Sequence, residues 1–594
     1  MKGFYNQILR LDLTHRNCRT DSVPDEVYER FLGGKGLATY LLMKDNPPGV
    51  DPMGPENHLI LATGPASGTP IWGSCRYGIY TKSPQTSFYS ESYSGGTVGD
   101  YMAKTGFDAV VLHGASNDPC WIEISDQGAY FHDAGDLWGL DTYETEDRIK
   151  AWIRKNRPGA QKCGVLCIGP AGENGVRFSV IENDYWRSAG RTGVGAVIGS
   201  KKIKGMAFWG NRKKELADPE RVRRYVKDLG RQARDDPGVL AYKSKGTAMM
   251  VDAMSRVGSF PTRYWHKGEA GHRERINADA LHKRLHVTPN ACLKCFIACG
   301  RLSVVKEGRH EGLKIEGPEY ESIYAFGGLC EVDSIEEIAY LNDICDRLGM
   351  DTISAGNLTA FAIEAARQGR IDYGIDYNEP DQIARLLGDM AYRRGIGDVL
   401  SQGIMAAARE WGMEDQSIHV KGMEPPGYDP RVLKGMGLAY GSSPRGACHL
   451  RATFYKPELT GIIDPDGIEG KAALFAEWED RLIIMDTLII CRFYRDLYPW
   501  EELSTIIEAV TGLDMNVEDM RSIAATISSA TRRFNIREGL TPEGDRLPKR
   551  FYTEALPETG KIITEEQMAR LLRDYYRVRG WDTDGAPPET KDQT

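Results

Sequence analysis

No stretch of this sequence approaches the roughly 18 consecutive apolar residues that a membrane-spanning helix requires, so no helical membrane span is expected. Residues Met1 to Arg10 show neither the charged-then-apolar order of a secretory signal nor a twin-arginine pair ahead of an apolar run. A cytoplasmic location is therefore expected. There is no basic tail, and acidic residues outnumber basic ones by 84 to 75, for a formal charge of −9. That balance argues against a nucleic-acid backbone as the main partner. No repeat of fixed period and no low-complexity segment is present. The twelve cysteines are scattered rather than evenly framed, which excludes a disulfide scaffold in so long a chain and suits a reducing compartment.

With 41% apolar residues among 594, the chain can bury several cores, and length alone suggests three or four domains. From residue 1 to about 210 short strands alternate with glycine, as in Leu59-Ile-Leu-Ala62 before Thr63-Gly-Pro-Ala66 and Ala109-Val-Val-Leu112 before His113-Gly114. Helical patterning is sparse there, so a sheet with functional loops is expected. From about 215 the texture becomes helical. Asp218-Pro219-Glu220 reads as a helix start, with Asp as cap and Pro at the first position. Ser334-Ile-Glu-Glu337 reads as a capping box opening a helix whose apolar positions are Ile338, Leu341, Cys345 and Leu348, with Gly349 placed to end it. Another helix is expected from about Ala472 to Cys491, apolar nearly all round in its last turns and so buried. The last twenty residues read as a fraying tail.

The densest chemical signal is Cys292-Leu-Lys-Cys295-Phe-Ile-Ala-Cys299. Spacings of three and four let three thiolates converge from one loop. Zinc closes four tetrahedral ligands around one ion, whereas a cubane takes one thiolate per iron. The second close pair that zinc would want does not follow, and the apolar Phe296, Ile297 and Ala298 suit a sheltered redox cluster. Spacing favours a cluster, leaves zinc open, and does not choose a fourth ligand among Cys330, Cys345, Cys448 and Cys491.

Other segments carry weaker signals. Ala189 to Lys202 clusters glycines with Arg191, Lys201 and Lys202, which is either an anion cradle or a plain strand-to-helix connection. Arg76 follows Gly73-Ser-Cys75 and on its own reads as a surface cation. Glu316-Gly-Pro-Glu319-Tyr-Glu321 crowds three carboxylates that would raise one another's pKa, useful for acid–base work, or forms an exposed acidic turn. His449 sits in a glycine-containing loop, where a lone histidine is more often structural than catalytic. Asp346-Arg-Leu-Gly349-Met-Asp351 and Asp486-Thr-Leu-Ile-Ile-Cys491 each put an Asp near a helix end, suited to an N–H-rich heterocycle or to simple capping. Trp72, Tyr455 and Trp478 are open candidates for a pocket wall.

In this order, the pieces resemble the aldehyde:ferredoxin oxidoreductase family of tungsten enzymes over nearly the whole chain. The resemblance starts at Gly33-Gly-Lys-Gly-Leu37 and Ala62-Thr-Gly-Pro-Ala66 and passes through Ala171-Gly-Glu-Asn174 and Gly193-Val-Gly-Ala-Val197. It takes in the cysteine triplet and Glu316 to Glu321, and ends at Arg533-Phe-Asn-Ile-Arg537 and Arg579-Gly-Trp-Asp582.

The resemblance implies an α+β fold: an N-terminal β-rich domain (1–210) cradling a bis-pterin cofactor, then two mainly helical domains (211–420 and 421–580) and a tail (581–594). It implies a [4Fe–4S] cluster on Cys292, Cys295, Cys299 and Cys491, and one tungsten between two pyranopterin dithiolenes without a protein ligand. Asp346 and Asp351 match the first pterin motif and Asp486 the second; Arg451 joins the cofactor-binding set. Arg76 matches the residue bridging cluster and pterin. Arg187, Ser188 and Arg191 match the segment holding the pterin phosphates and their bridging magnesium, and Tyr93 falls where another magnesium-binding carbonyl is expected. Glu321 and His449 match an acid–base pair beside the metal. The implied reaction is aldehyde plus water to carboxylic acid, with electrons passed to ferredoxin or a partner subunit. A tungsten subunit of an aryl-CoA reductase, or a cluster protein without catalysis, are the alternatives. Two departures stand out. Ile489 replaces the usual glycine of the second pterin motif, so a different turn is expected there. Tyr340 and Asp343 stand where some relatives carry Glu-x-x-His at a dimer axis, so a homodimer is allowed but a metal at its axis is not expected.

Overall fold

A computed structural model describes residues 1–160 and 162–589. Two six-stranded sheets form its N-terminal part. The first contains β1 (Gln7–Asp12), β2 (Asn17–Ser22), β3 (Leu59–Ala62), β4 (Tyr77–Lys82), β5 (Tyr89–Ser94) and β6 (Ala109–His113), in the order β2-β1-β6-β3-β4-β5. The second contains β7 (Cys120–Ser125), β8 (Gly128–Asp133), β9 (Gly164–Cys167), β10 (Ile181–Asn183), β11 (Arg187–Ala189) and β12 (Ile203–Phe208), in the order β11-β10-β9-β12-β7-β8.

The uninterrupted apolar runs of β3 and β6 follow from burial on both faces. Leu59, Leu61, Val110 and Leu112 pack against Ile122, Leu166 and Met206 of the second sheet. Their neighbours Ile60, Ala62, Ala109 and Val111 pack the other way, with Leu482, Met485 and Ile527 of the helical part. The first sheet is thus a middle layer, and the helices that cover it bring distant sequence to its edge. A further, larger core joins residues from Ala171 to Trp581, most of them in the helical part. The architecture is mixed α+β, a β-rich N-terminal part followed by helices.

Local expectations divide. Asp218 caps the helix Pro219–Gln232 by accepting from the Arg221 N–H, and Gly349 ends the helix Ile335–Leu348 in the left-handed region. Ser334 accepts from the Glu337 N–H at 3.4 Å, but the reciprocal half of the expected box is missing. The Glu337 carboxylate is held instead by Arg309 and His310. The sparse helical patterning before 210 hid real helices, including Gly34–Asp45 and Thr142–Asn156. The buried helix expected to reach Cys491 runs from Lys471 and stops at Leu488, leaving Cys491 in the connection beyond it. Ile489 itself takes the left-handed conformation (φ 57°) there, one that glycine ordinarily fills at a helix end. The tail does not fray where it is described. Helix Glu565–Arg579 packs on the core, and Arg532 and Arg533 donate to the carbonyls of Gly585 and Pro588; residues 590–594 lie outside the described residues.

One close approach positions the site. A Cβ on Gly64 would lie 2.3 Å from the Leu488 carbonyl, and one on Gly34 2.5 Å from the carbonyl oxygen of Asp486. Only glycine lets the helix end carrying Asp486 settle onto the first sheet.

Candidate functional site

A third sheet of β13 (Leu285–Asn290), β14 (Gly300–Val305) and β15 (Lys314–Glu316) carries the cysteine triplet in its first connection. Lys294 and Ala298 take left-handed conformations, curling that connection so that three thiols turn inward. Gly73 ties it to the segment after the buried helix. Its N–H donates to the Lys294 carbonyl at 2.9 Å, and its carbonyl accepts from the Cys491 N–H at 3.0 Å. Cys292, Cys295, Cys299 and Cys491 are free, half-buried thiols lining one cavity of about 320 Å³. Among the described residues no three His, Cys, Asp or Glu side chains close on a single ion. The four thiols surround a volume, which suits one thiolate per iron of a cubane better than the tight tetrahedron of zinc. Of the other candidates for a fourth ligand, Cys330 and Cys345 are buried in the helical core, and Cys448 lies among Arg445, Arg451 and Arg191. Burial alone would raise the Cys448 thiol, but those three guanidiniums bring it down to about 6.

Cys75 carries no motif of its own in the sequence. It is buried, lines the same cavity and contacts Cys292; its place beside Arg76 was the available signal. Arg76 reaches out of this cavity, with Nη1 3.7 Å from the Cys491 Sγ and Nη2 donating to the Tyr93 carbonyl at 3.1 Å. The lone cation of the sequence is therefore an internal bridge, and the Tyr93 carbonyl is already engaged by it.

Asp346 and Asp351 line the other side of this cavity. Burial, then Glu182 and Asp343, hold the Asp346 carboxyl well above its ordinary range, and it accepts from Asn342 at 2.7 Å. Asp351 caps the helix Thr352–Arg367, accepting from the N–H groups of Ile353 and Ser354, and lies 3.3 Å from Arg191 Nε. Capping and site placement coincide in this residue. Ser188 donates to Glu182 at 2.7 Å, and burial pushes Glu182 up to about 8. Arg187 pairs with Glu316. The glycine-rich segment is a strand-to-helix connection whose cations separate. Arg191 is buried beside Asp351 and donates to the Ala447 and Glu424 carbonyls. Lys201 donates to the carbonyls of Pro55 and Gly114, and Lys202 lies over the Trp138 ring. The two lysines do not join a cradle with Arg191.

A second cavity of about 230 Å³ shares Arg76, Tyr93, Glu321 and Cys491 with the first. Two distant segments meet in it. Glu321 opens a helical stretch that widens to π geometry over Ile323–Leu329, a distortion common at functional sites. His449 comes from the loop after helix Lys434–Ser442. His449 Nε2 stands 3.6 Å from Glu321 Oε1, too long for a hydrogen bond. His449 Nδ1 and Glu321 Oε1 have no partner among the described residues. Burial raises the Glu321 carboxyl to about 8. Burial, then Arg191, Arg445, Arg451 and Arg492, hold His449 well below the ordinary imidazole range. At neutral pH the cavity thus holds a neutral imidazole beside a mostly protonated acid. Tyr455 lines this cavity. Trp72 donates to the Val226 carbonyl instead, and Trp478 packs outside against Arg481.

Asp486 closes the floor. Arg451 Nη1 reaches both Glu91 (2.5 Å) and Asp486 (3.2 Å), Arg492 pairs with Asp486, and Lys35 pairs with Glu91 at 2.9 Å. All five are buried. Three cations face two anions, and Arg451 Nε, Arg451 Nη2 and Arg492 Nη1 have no partner among the described residues. Unpartnered buried donors are costly; they fit an anionic, acceptor-rich group seated against them.

Residues 8–210 match the family model described as aldehyde ferredoxin oxidoreductase, N-terminal domain, and residues 224–594 match the model for domains 2 and 3 of the same enzyme. The chain belongs to the aldehyde ferredoxin oxidoreductase family. The tungsten-containing aldehyde ferredoxin oxidoreductase of Thermococcus kodakarensis is 35% identical, covering 100% of this chain and 98% of the relative. The enzyme of the same description from Pyrococcus furiosus is 34% identical over the same shares. Among solved structures, the active site complex BamBC of benzoyl coenzyme A reductase with 1,5-dienoyl-CoA superposes with a TM-score of 0.85 over 99% of this chain and 96% of that one. At 22% identity that likeness concerns the fold. This family member is an oxidoreductase, and no helix among its described residues is long and apolar enough to cross a membrane.

Proposed function

We propose that this chain oxidises aldehydes to carboxylic acids at a tungsten held by two pyranopterin dithiolenes. The observation that carries the reading is the pair Glu321 and His449, facing each other at 3.6 Å in a cavity that shares Arg76, Tyr93 and Cys491 with the cysteine-lined one. In this reading the cluster sits on Cys292, Cys295, Cys299 and Cys491. Asp346, Asp351, Asp486 and Arg451 hold the pterins. Arg187, Ser188 and Arg191 serve the phosphates and their magnesium, and the Tyr93 carbonyl, which accepts from Arg76, has a second lone pair for that ion. Residues 1–210 form the cradle, with helical domains at 211–420 and 421–580. When bound, the tungsten cofactor takes up the two electrons of the oxidation and the [4Fe–4S] cluster hands them on singly to ferredoxin or an iron–sulfur partner subunit.

The protein's own contribution is proton handling and polarisation. His449, kept neutral, donates a hydrogen bond to the aldehyde oxygen as charge grows on it. Glu321 takes the proton of the attacking water in its ionised form, the fraction of which grows as pH rises towards about 8. Arg76 links the two cavities. The half-buried cysteine connection, with Leu293 39% exposed beside Cys292, supports electron exit at this face. The test is an aldehyde panel with a viologen acceptor on protein of measured tungsten content. Glu321→Gln and His449→Ala should each lose turnover at least ~100-fold with loading unchanged. Near-normal turnover in both would remove the acid–base assignment. Reductive ring chemistry has only the shared fold in its favour, and dearomatisation of an aryl-CoA would establish it.

A further inference from the structure

Four guanidiniums hold His449 neutral, and three of them are paired with carboxylates. Arg191 meets Asp351, Arg451 meets Glu91 and Asp486, and Arg492 meets Asp486. The fourth, Arg445, is buried and makes no ion pair with a carboxylate among the described residues. Its Nη1 donates to the Glu91 carbonyl, and its Nε donates to the Cys448 sulfur at 3.2 Å. A guanidinium keeps its proton in a protein, so burying one without a counter-charge is costly. The sulfur is the partner of Arg445 that can carry one.

The surroundings of Cys448 suit a thiolate. It is fully buried, and the Leu450 N–H donates to the same sulfur at 3.3 Å. Two donors aimed at one sulfur, with Arg191 and Arg451 facing it as well, match an anion better than a weakly polar thiol. The loop around it is held at successive points. Arg191 Nη1 donates to the Ala447 carbonyl at 2.7 Å, and the His449 carbonyl accepts from the Thr453 N–H at 3.0 Å. His449 lies between Cys448 and Leu450, so the anchorage of the sulfur on Arg445 and on the Leu450 N–H brackets the imidazole from both sides.

We infer that Cys448 is a positioning residue: its sulfur, as a thiolate, is the counter-charge of Arg445 and fixes the imidazole of His449 opposite Glu321. This rests on the aldehyde-oxidising reading of the cavity. The same charge acts on Glu321. Of the groups facing that carboxyl, Arg191 and the Gly427 N–H favour its ionised form, while Asp351 and Cys448 oppose it. A negative sulfur therefore delays the ionisation of Glu321, and a neutral side chain in its place advances it.

The experiment uses tungsten-loaded protein, an aldehyde and a viologen acceptor. Cys448→Ser keeps an acceptor of similar shape and gives up the charge; Cys448→Ala gives up both. Cys330→Ser is the control, a buried thiol of the helical core that donates to the Gly356 carbonyl at 3.4 Å. The rising limb of kcat/KM should move to lower pH by about one unit in both Cys448 variants and stay in place in the control. Cys448→Ala should also lose roughly 10- to 100-fold in kcat with tungsten content unchanged. Thermal unfolding gives a reading independent of turnover. The three guanidiniums hold the folded thiol at about 6, below the roughly 8.5 of a free one. Its contribution to stability is therefore present above about 8.5 and lost as pH falls through 6. The Tm advantage of wild type over Cys448→Ser should widen as pH climbs from 6 to 8.5. An unmoved limb, or a Tm difference constant over that range, overturns the inference and leaves aldehyde oxidation standing. If no aldehyde is oxidised by tungsten-loaded wild type, the oxidation reading falls, and the Tm series alone decides whether Cys448 is the counter-charge of Arg445.

Discussion

Replacing Gly64 with alanine perturbs the assembly of the site without touching any residue of its chemistry. The added Cβ would lie 2.3 Å from both the carbonyl carbon and oxygen of Leu488 and 2.7 Å from the Thr487 carbonyl, where ordinary contact begins at 3.4 Å. All three atoms are backbone, so no flexible side chain can give way. The segment must retreat by about 1 Å, and it carries Asp486 two residues before the contact and Cys491 three residues after it. A misplacement of that size costs on the order of 100-fold in rate, and overpacking adds about 1–3 kcal/mol of destabilisation. The variant should fold with a lowered Tm, lose iron, and turn over aldehyde about 100-fold more slowly. Gly388→Ala is the control, because it lies in helix Pro380–Ala391 and its Cβ would meet nothing within 4 Å. It should gain up to about 1 kcal/mol by helix propensity. Thermal unfolding, iron content and viologen-coupled turnover measured on both variants decide the matter. Full iron and turnover within twofold of wild type in Gly64→Ala would refute the argument from close approach.

The remaining predictions concern protons and thiols. If Glu321 acts as base, kcat/KM should rise with pH to a midpoint near 8, and the rising limb should vanish in Glu321→Gln; an unchanged profile would reassign the limb. Glu182 is raised by burial to about 8. Its stabilising contribution is therefore present below about 4.5 and lost as pH climbs through 8. Glu182→Gln should gain Tm relative to wild type between pH 5 and pH 9, and a constant difference would contradict the shift. Cys491→Ala should lose iron while Cys75→Ala keeps four irons per chain; the reverse pattern would make Cys75 the fourth ligand.

What could be read in advance depended on whether the signal was local. Asp218 before Pro219, and Gly349 after an apolar stripe, are short-range rules, and the structure obeys them. The cysteine triplet was legible because three thiols share one connection. Cys491 was not, since it reaches them through the packing of Gly73, Gly64 and a helix end nearly 200 residues away in sequence. Glu91 and Lys35 went unnoticed for the same reason. In β5 the alternation Tyr89, Glu91, Tyr93 places the carboxylate on a face that only the folded helices cover, and nothing near it in sequence announces Arg451. Lys201 and Lys202 misled in the opposite sense. A cation next to a glycine-rich loop looks like a cradle until the backbone turns it towards other carbonyls. The pairing of Glu321 with His449 came from resemblance; composition and spacing leave each of them a surface acid and a structural histidine.

The most direct test of the central claim is elemental analysis of the purified protein, coupled to aldehyde-dependent viologen reduction on the same sample. The account predicts tungsten near one and iron near four per chain, with reduction that depends on aldehyde. Iron without tungsten and no aldehyde-dependent reduction would contradict the catalytic reading, and zinc in place of iron would contradict the cluster as well.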